Sequence, residues 1–194
     1  MSGNTGSLTE KDTNRTPENG TKKNTAARSL TIRLTVTALL MAVNIAFSSF
    51  SIPVPGGHMY LNDAVICLAA ILLNPLEAFV VGGIGAFLGD FFFYPTPMFV
   101  SLVVHGLQAV VISVFAHKVL KHKPVLASVI GVAIGVVINV VGYTIGRAFI
   151  YSNPETAMLK LPFQILQAVA GSAIGTFICW KCGIRRLFRR MTEV

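Results

Sequence analysis

The chain has 194 residues, of which 53% are hydrophobic and only 12% charged, and its 16 Lys and Arg against 8 Asp and Glu give a formal net charge of +8. A soluble domain carries about 25% charged residues, so this composition cannot cover a water-facing surface and excludes an ordinary soluble enzyme. The positive charge does not point to nucleic acid, because the cations sit at the chain ends and in one short loop, with no basic stripe interleaved with aromatics.

Length allows one domain. Residues 1–30 are rich in Ser, Thr, Asn, Gly and Lys and almost free of large apolar side chains. They cannot bury enough surface to offset ordering entropy, so a disordered polar cytoplasmic tail is expected there, followed by a membrane domain over 31–190. A cleaved secretory signal is not expected, since the first apolar stretch begins about thirty residues in and lacks a small-residue cleavage site.

Crossing the hydrocarbon takes roughly 20 apolar residues. In chain order the apolar runs are Leu30 to Phe50, Leu61 to Leu73, Leu76 to Phe93, Met98 to Leu120, Val125 to Ile150 and Ala157 to Trp180. The segment Ser51-Ile-Pro-Val-Pro-Gly-Gly-His-Met-Tyr60 between the first two forbids a regular helix. Asn74-Pro75, Tyr94-Pro-Thr-Pro97, Lys121-His-Lys-Pro124 and Tyr151-Ser-Asn-Pro154 separate the others. The pattern predicts an all-α membrane protein of six transmembrane helices, the second short for a full span.

Orientation follows from Lys and Arg. Lys11, Arg15, Lys22, Lys23, Arg28 and Arg33 precede or open the first run, and Lys118, Lys121 and Lys123 follow the fourth. Lys181, Arg185, Arg186, Arg189 and Arg190 follow the sixth, leaving Arg147 and Lys160 toward the opposite side. Six spans place all but those two on one face, so the positive-inside rule puts both termini in the cytoplasm.

Polar side chains at membrane depth are costly, and each suggests a function unless it has a partner. Here they cluster by depth. His105 and Gln108 share one face of the fourth run, Asn139, Tyr143 and Arg147 recur every four residues in the fifth, and Gln164 and Gln167 share a face of the sixth. Asp90 ends the third run, Asn62 and Asp63 open the second, and His58 lies in the loop before it. At about 1.5 Å per residue, all fall within the outer 15 to 20 Å, while the inner halves are nearly pure Val, Ile, Leu, Ala and Gly. A pore or proton relay needs polar groups at every depth, whereas a pocket open on one side does not. These eleven residues are therefore the candidate substrate-binding set.

Other readings exist for single members. Asp63 also fits a helix cap, Arg147 and Lys160 fit cations snorkelling to the interface, and Asp90 with Arg147 fits a structural ion pair. Gln164 and Gln167 fit interhelical hydrogen bonding, and His117 and His122 fit solvated positions near the inner end. Cys67 reads as a small apolar core residue, and the single Cys179-Trp-Lys-Cys182 has no second pair to complete a metal site, so no metal is expected.

Small residues form a second pattern. Gly82, Gly85 and Gly89, Gly131 and Gly135, and Gly171 and Gly175 read as internal helix packing. Ala38, Ala42 and Ala46 recur every four residues on the first helix, which carries almost no polar residue facing the pocket, and so suit an external partner.

The sequence resembles the substrate-binding S components of energy-coupling factor (ECF) transporters, the bacterial vitamin importers, over most of residues 30–190. The ordered set carrying the resemblance is the alanine strip, the Pro-x-Pro-Gly loop leading to Leu61-Asn-Asp63, Gly82-Gly-x-Gly85 with Gly89-Asp90 and Tyr94-Pro95, and Phe99-x-Ser101 with His105-Gly-x-Gln108. The nearest subgroup is that assigned to hydroxymethylpyrimidine, pyridoxine or pantothenate, although the long polar N-terminal tail departs from the usual short one.

The resemblance implies a multi-pass subunit of the bacterial plasma membrane that binds a small vitamin at the outer face under a lid formed by the first outer loop. It implies toppling in the membrane while docked, through Ala38, Ala42 and Ala46, on a shared transmembrane subunit driven by two separate ATPases. ATP and Mg belong to those partners; this chain has no Walker A motif and is expected to need no cofactor of its own. Two other classes compete: a self-sufficient secondary transporter, disfavoured by the lack of inverted repeats and of a midplane charge, and an intramembrane enzyme, disfavoured by the lack of H-E-x-x-H or G-x-S-x-G.

Overall fold

The computed structural model describes residues 17–119 and 123–192, with side chains from residue 25. The elements in order are α1 (Pro17–Ser48), a hairpin of β1 (Ser51–Val54) and β2 (Gly57–Tyr60), α2 (Asn62–Leu72), α3 (Pro75–Phe93), α4 (Met98–Lys118), α5 (Pro124–Tyr151), α6 (Pro154–Lys181) and α7 (Ile184–Thr192). Residues 17–30 are helical, where the sequence suggested a tail without regular structure, while residues 1–16, Lys121 and His122 lie outside the described residues.

Five of these helices are long and apolar enough to cross a membrane: α1 from Thr25, α3, α4, α5 and α6. Their outer faces carry exposed Leu34, Leu39, Val103, Val137, Val141, Phe149, Leu166 and Phe177, as hydrocarbon requires. The second apolar run yields only the 11-residue α2, about 16 Å of helix at 1.5 Å per residue. Its 19-residue neighbour α3 measures about 28 Å by the same rise.

The hairpin leads directly into the N-terminal end of α2. Ser51 pairs with Tyr60, Ile52 with Met59, Pro53 with His58 and Val54 with Gly57. Pro55 followed by Gly56, whose φ is +79°, matches the signature of a type II turn. β2 then descends along α6, since Lys160 bonds His58 and Gln167 bonds Tyr60. Seven helical residues separate those contacts, about 10 Å of depth. The two strands were not foreseen by an all-α reading; β2 is half-buried against the bundle, while Ser51, Ile52 and Pro53 of β1 are exposed.

The core occupies the half of the bundle away from the hairpin. Ile66, Cys67, Ala69, Ala70, Ile71 and Leu73 of the second run pack with Val81, Ala109, Ile112, Cys179 and Phe188. Asn74 starts α3 with a reciprocal capping box, its side chain accepting from Glu77 N at 2.9 Å and Glu77 Oε2 accepting from Asn74 N at 3.3 Å. Glycines set the closest approaches, as the spacing predicted: a Cβ on Gly171 would lie 2.6 Å from Asp63 Cβ, and one on Gly82 would lie 2.7 Å from Ala109 Cβ. Beside Gly82 a π-helical turn, Val80–Ile84, widens α3, and Asn44 of α1 donates to Val81 O within it at 2.7 Å.

Candidate functional site

Four helices bring amide and carboxylate side chains to one buried layer in the half of the bundle nearer the hairpin. Asp63 opens α2, Gln108 faces it from α4, Asn139 from α5 and Gln167 from α6. Asp63, Gln108 and Asn139 are wholly buried. Asp63 Oδ1 accepts from Asn139 Nδ2 at 2.8 Å and from Gln108 Nε2 at 3.4 Å, and Oδ2 accepts from Gln167 Nε2 at 3.0 Å. Asn139 Nδ2 also donates to Gln108 Oε1 at 3.0 Å, and Gln164 Nε2 donates to Asn139 Oδ1 at 2.7 Å. A buried carboxylate is tolerated only when donors surround it, and here three side-chain amides do so.

His105 extends the layer upward. Its Nδ1 lies 2.9 Å from Gln108 Oε1, an acceptor, which assigns a proton to Nδ1, and 3.9 Å from Asp63 Oδ1. Its ring meets Tyr143 edge-on at 5.2 Å. Tyr143 OH lies 2.6 Å from Ser101 Oγ, and Ser101 donates to Asp90 Oδ2.

Above this layer sits a chamber roofed by the hairpin, with His58, Asn62, Asp90, His105, Tyr143, Arg147, Gln164 and Gln167 among its lining side chains, together with Tyr60 and Tyr94. Eight of the eleven residues singled out by sequence thus line one chamber, and the other three, Asp63, Gln108 and Asn139, lie in the layer beneath and bond to its lining residues His105, Gln164 and Gln167. The chamber measures about 30 Å³, room for little more than one water. His58 Nδ1 and Asn62 Oδ1 are buried there without a hydrogen-bond partner.

Three side chains hold the roof by its backbone. Arg147 Nη1 donates to Gly56 O, Lys160 Nζ donates to His58 O at 2.6 Å, and Gln167 Oε1 accepts from Tyr60 N at 3.1 Å. Snorkelling is therefore the wrong reading of Lys160, which is only 2% exposed. Its ammonium turns inward because the hairpin carbonyl lies within its reach.

Two further readings change. Asp63 does not cap α2: the N-cap is Leu61, with no side-chain cap bond, and the carboxylate turns to the amides instead. Asp90 and Arg147 form no ion pair among the described residues, Asp90 bonding Ser101 and Arg147 bonding the hairpin. Gln164 and Gln167 do bridge helices and the hairpin, as the alternative reading had it.

Tyr60, Tyr94, Ser101 and Lys160 were not in the sequence-derived set. The motifs Tyr94-Pro95 and Phe99-x-Ser101 contained two of them, but nothing local marks their orientation. Asn44 was also missed, a wholly buried amide on a helix that looked apolar. On the other face of that helix Ala38, Ala42 and Ala46 are all exposed. Among the described residues no group of three His, Cys, Asp or Glu side chains is placed to hold a metal ion.

A protein of Pyrococcus woesei described as an uncharacterized protein in the gap 3′ region is 32% identical over 136 residues, covering 69% of this chain and 89% of that one. UPF0397 proteins of Streptococcus agalactiae are 29% identical over 122 residues, covering 57% of this chain and 65% of theirs. The family described as ECF-type riboflavin transporter, S component, matches residues 29–182, from within α1 to the C-cap of α6. The match takes in the hairpin, the polar floor and all five long helices, and the chain belongs to this family of ECF transporter S components, multi-pass membrane subunits that bind substrate and are not enzymes.

Proposed function

We propose that this chain captures an uncharged, planar, donor-rich solute of the vitamin class at the outer face and passes it inward while docked on a shared transmembrane subunit powered by two ATPases. The observation that carries the reading is the convergence of polar side chains from five helices under a hairpin that they hold by its backbone. On this reading α2 is the sixth crossing: its 11 residues fall short of the roughly 20 a span needs, and the hairpin completes it. Both termini are then cytoplasmic, as the cation distribution requires.

The class of solute follows from which groups remain open. The floor amides donate to Asp63 and to one another, and the groups left to a solute include two acceptors, Asn62 Oδ1 and the Asp90 carboxylate. Tyr60, Tyr94 and His58 add flat surfaces, with His58 and Tyr94 meeting edge-on at 5.3 Å. Riboflavin, hydroxymethylpyrimidine and pyridoxine offer ring or hydroxyl donors to such a site. Pantothenate brings a carboxylate, while both nearby cations, Arg147 and Lys160, are engaged by hairpin carbonyls.

A vitamin-sized solute needs some 300 Å³ or more, whereas the closed chamber measures about 30 Å³. The hairpin therefore has to lift for entry. Mass spectrometry of small molecules released by denaturing the purified protein, followed by calorimetric titration with these four vitamins, tests the reading. Retention of a neutral heterocycle supports it. A released carboxylic acid, or no affinity for any of the neutral three, refutes the proposed class.

A further inference from the structure

We propose that the end of the bundle opposite the hairpin carries a second site, which takes the phosphodiester headgroup of an acidic phospholipid between α6 and α7. Gly183, with φ +71°, adopts the left-handed conformation that ends α6 and turns the chain back into α7. The fold-back borders a half-open cavity of about 410 Å³ lined by Trp180, Arg185, Arg186, Arg189 and Arg190, with Pro124 at the start of α5. Arg185 stacks on Trp180 with its guanidinium carbon 4.5 Å from the ring centroid. Stacking fixes the plane of the guanidinium and leaves its N–H edge to meet an anion in bidentate geometry.

The donors call for an acceptor. Arg185 Nη1 and Trp180 Nε1 are both buried without a hydrogen-bond partner. Leaving a buried donor unmet is costly, and both donors belong to side chains that line this one cavity. Among the described side chains Glu77 is the one acid at this end, and Arg33 holds it at 2.8 Å.

The lipid, rather than a soluble phosphate, follows from α7 itself. Ile184, Leu187, Phe188 and Met191 form one stripe and the four arginines the other. Phe188 is buried in the core, while Leu187 is 58% and Met191 37% exposed. A short helix with arginines on one side and exposed apolar side chains on the other lies in the plane of the interface. There its apolar residues meet acyl chains and its cations meet anionic headgroups, beside a tryptophan at headgroup level.

The test uses the purified full chain in a neutral detergent, with thermal melting followed during titration by dioleoyl phosphatidylglycerol, dioleoyl phosphatidylcholine or glycerol 3-phosphate. Phosphatidylglycerol alone is expected to raise the Tm saturably, and native mass spectrometry is expected to find it retained. The midpoint of that titration is expected to shift by about tenfold or more in Arg185→Gln, which removes a charge-assisted pair. Two milder variants guard against misfolding: Trp180→Phe keeps the stacked ring but deletes the N–H, and Arg186→Gln alters an exposed side chain. Each is expected to weaken the phosphatidylglycerol effect severalfold with the Tm in lipid-free detergent unchanged. An equal rise with phosphatidylcholine or with glycerol 3-phosphate, or wild-type titrations in all three variants, overturns the proposal.

Discussion

Asn139 and Asp63, 76 positions apart in the chain, meet through an amide-to-carboxylate hydrogen bond of 2.8 Å with neither side chain exposed to solvent. The same Asn139 amide nitrogen serves Gln108, and its oxygen serves Gln164, so one side chain ties α5 to α2, α4 and α6. Replacing it by Ala removes a donor from a buried carboxylate and leaves the Gln164 amide unmet. A stability loss of about 2–3 kcal/mol is expected, together with at least about tenfold weaker solute binding. Thermal melts and calorimetric titration of Asn139→Ala check both, and a variant with wild-type values in both would remove Asn139 from the site.

His105→Ala separates binding from stability. His105 meets the floor through Nδ1, 2.9 Å from Gln108 Oε1 and 3.5 Å from Asn139 Nδ2, while its ring lines the chamber beside Tyr143. Affinity is expected to fall about tenfold, corresponding to a buried hydrogen bond of roughly 1.5 kcal/mol. The melting temperature is expected to fall less than in Asn139→Ala, because the Asp63 carboxylate keeps its donors from Asn139 and Gln167.

Lys160→Met keeps the bulk of the side chain and deletes the bond to His58 O. The hairpin is then held by Arg147 and Gln167. Amide hydrogen exchange over residues 51–60 is expected to speed up, and the solute on-rate and off-rate are both expected to rise severalfold, since entry and release pass the same hairpin. Unaltered exchange in the hairpin would show that Lys160 does not hold it.

The polar layer was legible because depth in a helix is proportional to sequence position, so residues such as His105, Asn139 and Gln164 declare their level before any fold is known. Their partners were less legible. Asp63 sits in the first turn of α2, where an acidic residue ordinarily serves the helix end, and only the placement of α4, α5 and α6 turns it to the amides. Lys160 was misread for a related reason: its partner is a backbone carbonyl 102 positions away, in a loop whose descent into the bundle leaves no side-chain signature. The short second run was visible as an apolar stretch, but the strands that accompany it were not, since Pro and Gly mark a turn without saying where it folds.

Gly171 offers a packing test. An added Cβ there would sit 2.6 Å from Asp63 Cβ and 3.2 Å from Ala64 N, so α2 and α6 would have to part. Gly171→Ala is expected to cost about 1–3 kcal/mol and to weaken binding in step, because Asp63 moves with α2. The neighbouring Ala173→Leu, on the exposed face of α6, is expected to change the melting temperature by less than about 0.5 kcal/mol equivalent.

The alanine strip separates capture from transport. Thr37, Asn44 and Ser48 turn one face of α1 into the bundle, and Asn44 is fixed to Val81 O. Ala38, Ala42 and Ala46 lie on the exposed face, where a second helix could approach to about 8 Å. A large side chain there meets lipid in the isolated subunit, so Ala42→Trp does not overpack the core and is expected to leave melting temperature and solute affinity as they are. In cells that supply the shared transmembrane subunit and the ATPases, the same bulk would hold the two proteins apart, and uptake of radiolabelled solute is expected to collapse. Ala42→Ser, which stays small, is expected to transport normally. Full uptake by Ala42→Trp at wild-type expression would move the docking face elsewhere on the molecule, while lost binding in the purified variant would mean that α1 supports the chamber.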